Sequence, residues 1–363
     1  MRARGSVTRR ERLELMTTAL IPAAVGLLDG WIGRGGRLSW LLPLAALPVG
    51  LLLAGLWERS GGEGLPGLIR RTCGRATGGA MRGLYLLWGL WLLGRSALAC
   101  TDRLLAAAQL PVGRWPLLTA ALLLTMWLGR SPGRYARTGR IFYLSTAVTL
   151  GAVGLLALPS LRWENLLPPS AAPEGVLLGG LEVLSLTGYA VYGLCQPVRG
   201  ERLESGGWVT AEALALSAML FVVVGAFGPV LALELDQPFL YILKGVGVPG
   251  AFQRGEAVLA AVLALADLVL LGLLAKGCEA LLPEGAWRRC VVFGGGMALA
   301  VIGGSGENGW LWSGGLQLFG GLLLGTVVPV LLIWRDRGAG GRQADTISCG
   351  QSRKKREDIG DVR

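Results

Sequence analysis

The 363-residue sequence contains no histidine, and only 16% of its residues are charged. Without histidine, the chain lacks the side chain that most often performs acid–base chemistry near neutral pH and most often binds metal ions. Soluble domains usually carry about 25% charged residues. Here hydrophobic residues make up 52% of the chain, and the mean hydropathy is +0.53. This composition predicts an integral membrane protein.

Motifs of soluble enzymes are also scarce. No Walker A sequence is present, which disfavours an ATP-driven pump, and no paired-carboxylate signature indicates an intramembrane enzyme. No two cysteines have CxxC spacing, so neither a zinc site nor a disulfide framework is predicted. The cysteines occupy positions 73, 100, 195, 278, 290 and 349. We therefore expect no catalytic activity, no metal and no cofactor.

Ten stretches of the chain are apolar enough to be candidate membrane spans, on the criterion of about 20 apolar residues per bilayer crossing. They run approximately over Leu15–Ile32, Leu38–Trp57, Leu84–Ala107, Trp115–Leu128, Ile141–Leu158, Val176–Pro197, Val209–Leu233, Ala257–Leu282, Val291–Gly304 and Gly315–Trp334. The predicted domains are an N-terminal segment (1–12), a ten-helix membrane domain (13–335) and a polar, Gly-rich tail (336–363) that is predicted to be disordered.

The basic residues are unevenly distributed between the two sides of these spans. About 27 of the 35 Lys and Arg residues flank the spans on one side, and about 7 on the other. The net charge of +11 therefore indicates topology rather than nucleic-acid binding, and both termini are predicted to be cytoplasmic. The RKKR cluster of the tail is expected to contact anionic membrane lipid.

Ten spans divide into two sets of five, covering about 13–158 and 176–335, and an odd number per set makes the two sets cross the membrane in opposite senses. Inverted-repeat transporters of the LeuT type have this arrangement, and the first helix of each repeat is interrupted near the midplane. Glycines occur at both corresponding positions, so helices 1 and 6 are predicted to be interrupted. Close helix packing through small residues would explain many of these glycines equally well.

Residues at or near these two breaks are the candidates for binding a small ligand, since unwound backbone, hydroxyls and an aromatic ring suit a small amphipathic molecule. They are Gly26, Asp29, Gly30, Ser96, Thr187, Gly188 and Tyr189. For Tyr189, ordinary packing in the helix bundle is an equal alternative.

Charged residues inside spans are energetically costly and need partners or a function. The candidates for an intramembrane charge or coupling site are Arg95, Asp102, Glu182 and Asp267. Arg95 and Asp267 both lie near mid-span, so an ion pair between the third and eighth spans is predicted, either as a structural lock or as a coupling or ligand site. Asp29 and Glu182 lie in the outer halves of their spans and are expected to face a water-filled vestibule.

Several short stretches resemble the B subunits of spore germinant receptors, a family within the amino acid–polyamine–organocation permease superfamily. The similar stretches are Gly36-Arg-Leu-Ser-Trp40, Pro159 with Trp163-Glu-Asn-Leu-Leu-Pro168, Pro197, and Phe252-Gln-Arg254-Gly-Glu256 with Lys276 downstream. The resemblance covers roughly 10–335. Two departures are Gln253, where the family usually has an acidic residue, and Asp29-Gly30-Trp31, where the family commonly has a proline.

The resemblance implies an all-α membrane subunit that binds a small nutrient, such as an amino acid, in a transporter-like pocket. Its implied partners are the A subunit and the lipoprotein C subunit of the receptor, in the inner membrane of a dormant spore. Nutrient binding would favour one conformation of the bundle and so trigger germination. An ion-coupled secondary transporter of amino acids or related amines is the alternative, and a scaffold with an inactive pocket is a third possibility.

Overall fold

The computed structural model describes residues 9–58, 64–108, 113–129, 132–168, 172–195, 206–235, 237–245, 255–304 and 314–336. These residues form helices and their connections, with no strand among them. The helices are α1 (Arg9–Val25), α2 (Leu28–Gly35), α3 (Leu42–Glu58), α4 (Gly64–Ala108), α5 (Arg114–Leu128), α6 (Pro132–Ala157), α7 (Trp163–Leu166), α8 (Pro173–Leu184), α9 (Thr187–Gly193), α10 (Gly206–Glu234), α11 (Pro238–Gly245), α12 (Gly255–Leu281), α13 (Arg288–Gly304) and α14 (Gly314–Leu322).

Seven helical stretches of the described chain are long and apolar enough to cross a membrane, which confirms the prediction of an all-α, multi-pass membrane protein. They are Leu28–Trp57, Gly64–Leu105, Tyr135–Ser160, Pro173–Gly193, Gly206–Glu234, Ala257–Leu281 and Gly314–Asp336. The three other predicted spans fall on shorter helices: α1 and α13 have 17 residues each, and α5 has 15. The first eight residues and the tail after 336 lie outside the described residues, as do the predicted motifs at Pro197 and Phe252.

Helix α12 forms the centre of the bundle. In its most apolar segment 72% of the residues are buried, compared with 17% for α6, which is therefore a peripheral helix. α12 packs against α1, α4, α5 and α6, and α1 also contacts α9. This packing brings α1, α4, α9 and α12 together in the interior.

Helix α4 begins 20 residues before the predicted third span at Leu84. Its first part is rich in arginine and glycine, so an apolar scan does not detect it, and a kink at Gly74 (φ 71°) separates it from the apolar part. A positive φ of this kind favours glycine. The two parts together span Gly64–Ala108, which keeps Arg103 within the helix rather than in a loop.

A second kink, in α10, is hydrogen-bonded to the family-like stretch around Trp163–Pro168. Pro229 has no N–H to bond the carbonyl four residues before it, at Gly225. That carbonyl instead accepts hydrogen bonds from the Arg162 N–H (2.9 Å) and from Asn165 Nδ2 (3.0 Å), which lie in the Trp163–Pro168 region. The kink residue, Gly228, has φ 74°.

The Gly36–Trp40 stretch contacts the same region. Arg37 Nη1 donates to the Leu167 carbonyl at 2.8 Å, and the Phe221 ring lies edge-on to the rings of both Trp40 (5.6 Å) and Trp163 (6.4 Å). The Gly36–Trp40 and Trp163–Pro168 stretches therefore pack against each other in the folded protein.

Candidate functional site

At both predicted positions a two-residue turn separates two helical segments, although Leu27, Ser185 and Leu186 keep right-handed helical φ/ψ and the backbone there is not unwound. The first separates α1 from α2 at Gly26 and Leu27, where the Leu27 N–H bonds the Ala24 carbonyl at 2.8 Å in a tight turn. The second separates α8 from α9 at Ser185 and Leu186. Here backbone N–H groups bond the carbonyl three residues earlier instead of the one four residues earlier, so the helical turn is narrower than in an α-helix.

Side-chain hydroxyls stabilise the second break. Ser185 Oγ donates to the Glu182 carbonyl at 2.6 Å, and Thr187 Oγ1 donates to the Leu184 carbonyl at 2.7 Å. Local side-chain bonds of this kind compete with the helical ladder. Serine and threonine at these positions therefore give the break a sequence-encoded cause in addition to glycine.

A small cavity lies where the first break meets the core helices, with a volume of about 20 Å³. Helices α1, α4, α9 and α12 and the Gly26 turn supply its walls. The lining residues are Pro22, Ala23, Gly26, Arg95, Ser96, Ala99, Arg103, Tyr189, Asp267 and Leu270. One water molecule requires roughly 10–15 Å³ of such a cavity, so in this conformation the cavity has room for about one water molecule, and a larger ligand requires it to widen.

Five of the sequence-predicted residues meet in this cavity: Gly26, Arg95, Ser96, Tyr189 and Asp267. They come from four helical segments that are far apart in the chain. The structure therefore joins the predicted ligand-binding set to the predicted intramembrane charges in one site.

The predicted ion pair between Arg95 and Asp267 is wrong, because Asp267 forms its ion pair with a different arginine of α4. Arg103, not Arg95, binds Asp267, through Nη2 to Oδ1 at 2.5 Å and Nε to Oδ2 at 3.2 Å. Arg103 also points Nη1 at the Pro22 carbonyl (3.4 Å), next to the first break. Arg103 lies within the predicted third span (Leu84–Ala107) but was not among the candidate charges; in the structure its side chain faces α12 and is buried.

No carboxylate among the described residues forms an ion pair with Arg95 at the cavity. Its guanidinium lies 5.5 Å from the centre of the Trp91 ring, a cation–π contact. Its Nη1 atom is buried and has no hydrogen-bond partner among the described residues. Since Arg103 and Asp267 neutralise each other, the cavity carries one net positive charge and one unused donor. An arginine fork of this kind suits a carboxylate.

Asp29, Gly30 and Glu182 lie elsewhere, at the contact between α2 and α8. Arg34 Nη2 bonds Glu182 Oε1 at 2.7 Å, and a side chain at Gly30 would meet the same carboxylate at 2.9 Å. Asp29 is exposed on α2. Glu182 was expected to face a water-filled vestibule, but it is buried and joined to Arg34, so it links two half-helices.

Thr187 and Gly188 face helix α14 and not the small cavity. A Cβ on Gly188 would lie 2.7 Å from the Gly321 Cα, and Thr187 Oγ1 is 2.9 Å from Thr326 Oγ1. Gly321 and Gly325 form a GxxxG pair that allows this close approach. At Gly188 the structure therefore shows close helix packing through small residues, which is the alternative explanation given for the glycines.

Asp102 pairs with Arg114 at 2.6 Å, and both side chains are more than a third exposed. This pair joins the end of α4 to the start of α5, away from the cavity. Exposed pairs of this kind contribute about 0–1 kcal/mol to stability.

Arg103 was not among the predicted site residues, although a signal for it exists. Ser96 and Arg103 are seven residues apart, with Ala99 between them, so all three lie on one face of a continuous helix. The predicted third span, Leu84–Ala107, already contains all three residues, so this spacing identifies Arg103 as a candidate from the sequence alone.

No family model matches this chain, and no curated protein is significantly similar to it in sequence.

Proposed function

We propose that this protein is the ligand-binding membrane subunit of a nutrient germinant receptor, and that it binds a small amino acid in the cavity beside the first helix break. The observation that carries the proposal is the half-buried Arg95, which lines this cavity and whose buried Nη1 has no hydrogen-bond partner among the described residues. A carboxylate would fill that donor position and neutralise the net charge of the site.

The rest of the cavity suits the remaining groups of an amino acid. Ser96 and Tyr189 supply hydroxyls that can bond a polar group, and Leu270 and Ala99 supply apolar wall. The ligand must be small, and the surrounding helices must move apart to admit it, because the cavity volume is only about 20 Å³.

The proposed architecture is a ten-span, 5+5 inverted repeat of the LeuT type, with repeats at about 13–158 and 176–335. It is supported by breaks in the first and sixth predicted spans, the corresponding helices of the two repeats. The cavity lies between these two helices, α1 and α9, as expected for a site at the repeat interface. In this architecture both termini are cytoplasmic.

The receptor role and its partners rest on the family resemblance. We propose association with the A subunit and the lipoprotein C subunit in the spore inner membrane, with ligand binding as the trigger of germination. Two of the family-like stretches contact each other through Arg37 and the Leu167 carbonyl.

An ion-coupled transporter is the second candidate function, with Asp267 as its coupling residue. Both carboxylate oxygens of Asp267 are bonded to Arg103. A coupling cation at Asp267 would have to displace this arginine in every cycle, which favours the receptor over the transporter.

Reconstitution in liposomes separates the two functions. We expect radiolabelled amino acids, tested one by one, to bind the wild-type chain without accumulating when an ion gradient is imposed. Ala99→Phe fills the cavity and should abolish binding, whereas Ala152→Phe on exposed α6 should not. Accumulation driven by the gradient would replace the receptor by the transporter. No binding of any amino acid to the wild-type chain would contradict the proposed site.

A further inference from the structure

Glu212, near the start of α10, is the buried carboxylate that the proposed function leaves unused. Four described carboxylates are buried: Glu14, Glu182, Glu212 and Asp267. Three of them have an arginine partner, at Arg10, Arg34 and Arg103 respectively. Both oxygens of Glu212 are buried and have no hydrogen-bond partner within the described part of the chain.

Glu212 lines a pocket separate from the amino-acid cavity, with a volume of about 80 Å³. Helices α1, α3, α8, α9 and α10 form it. Its walls are almost entirely apolar, with Leu20, Leu53, Val191 and Leu216 among them. Helix α9 divides the two spaces, because Tyr189 lines the small cavity whereas Ala190 and Val191 line this pocket.

A carboxylate without a partner in such a pocket is costly, because burial removes its hydration and nothing replaces it. A cationic ligand would balance the negative charge of Glu212 and donate hydrogen bonds to its oxygens. The apolar walls require that the rest of the ligand be apolar. Trp57 and Trp208 line the same pocket and can contact either an ammonium group or an apolar body.

We propose that the Glu212 pocket is a second binding site, which takes a small primary amine with an apolar body. The ammonium group bonds Glu212, and the apolar part lies against the leucines and tryptophans of the wall. About 80 Å³ of cavity volume is several times the roughly 10–15 Å³ that one water molecule requires, so the pocket has room for a small ligand only. This site uses other residues than the amino-acid cavity, so it stands independently of the proposed function.

The test uses the purified full-length chain in lipid nanodiscs with 2-phenylethylamine as the probe and 2-phenylethanol as its uncharged analogue. We expect saturable binding of the amine to the wild-type chain, measured by equilibrium dialysis. Glu212→Gln keeps the shape and removes the charge, and should weaken amine binding at least about tenfold. Glu234→Gln, an exposed position on the same helix, should leave amine binding unchanged.

A second variant tests the proposal independently, in case Glu212→Gln does not fold. Ala46→Phe fills the pocket from α3 and leaves Glu212 in place, so it should also abolish amine binding. Equal amine affinity in the wild-type and Glu212→Gln chains would overturn the proposal. So would equal affinity of the amine and the alcohol, which would identify an unselective apolar pocket such as one for a lipid chain, or no saturable amine binding at all.

Discussion

Replacing Asp267 with alanine is expected to destabilise the protein by about 3–5 kcal/mol, because it leaves the buried Arg103 guanidinium without its counter-charge. Both side chains are at most 4% exposed, so water cannot replace the lost partner. Arg103 would retain only its long contact to the Pro22 carbonyl. The free energy of unfolding in mixed detergent micelles measures this effect.

Two further variants separate the ion pair from other effects of the substitution. Asp102→Ala breaks the half-exposed pair with Arg114 and should change the free energy of unfolding by about 1 kcal/mol or less. The double variant Arg103→Met with Asp267→Leu replaces both charges by apolar groups and should recover most of the lost stability. Wild-type stability in Asp267→Ala would show that Arg103 does not depend on Asp267.

Replacing Gly325 with leucine is the second change with a large expected effect. Gly325 lies in a π-helical turn (Leu323–Val327), directly against the backbone of Thr187 and Gly188. A Cβ there would lie 2.5 Å from the Thr187 carbonyl carbon, and closer still to the Gly188 nitrogen. Because the obstructing atoms are backbone, the side chain cannot be accommodated by a rotamer change. We expect a loss of about 3 kcal/mol or more in the free energy of unfolding.

Gly294→Leu is the matched control for this overpacking. A Cβ at Gly294, on the exposed side of α13, would meet no atom within 4 Å. The same glycine-to-leucine change should therefore leave stability nearly unchanged. Similar losses in both variants would mean that the effect comes from leucine replacing glycine in a helix, and not from the contact between α9 and α14.

The helices and the two breaks could be predicted because they depend on local signals. Long apolar runs mark the spans, and Gly26 after Pro22 marks the first interruption. At the second break the decisive groups are the Ser185 and Thr187 hydroxyls, which bond nearby carbonyls. Such bonds depend on residues three positions apart, so they too are encoded locally.

The pairing of charges could not be predicted in the same way. Arg95 and Arg103 are both on α4, and choosing between them as the partner of Asp267 requires the relative height of α4 and α12. That height is set by packing between distant segments. The role of Gly188 also depends on a distant segment, since the residue that contacts it, Gly321, is 133 positions later in the chain.

The environment of Glu212 also could not be predicted from the sequence. In the sequence it is one acidic residue near the end of a predicted span, and nothing nearby indicates whether it has a partner. Only the packing of α10 against α3 and α1 shows that both oxygens are buried in an apolar pocket. Its significance therefore arises from tertiary structure alone.

The most direct test of the proposed site is the affinity of Arg95→Gln for two ligands that differ only in a carboxylate. The ligands are the amino acid that binds the wild-type chain most tightly and the primary amine formed by removing its carboxyl group. If Arg95 binds the carboxylate, the variant should bind the amino acid at least about tenfold more weakly and the amine equally well. Arg114→Gln, at a half-exposed arginine on α5, should change neither affinity. Unchanged affinity of Arg95→Gln for the amino acid would contradict the proposed site, as would an equal loss for both ligands.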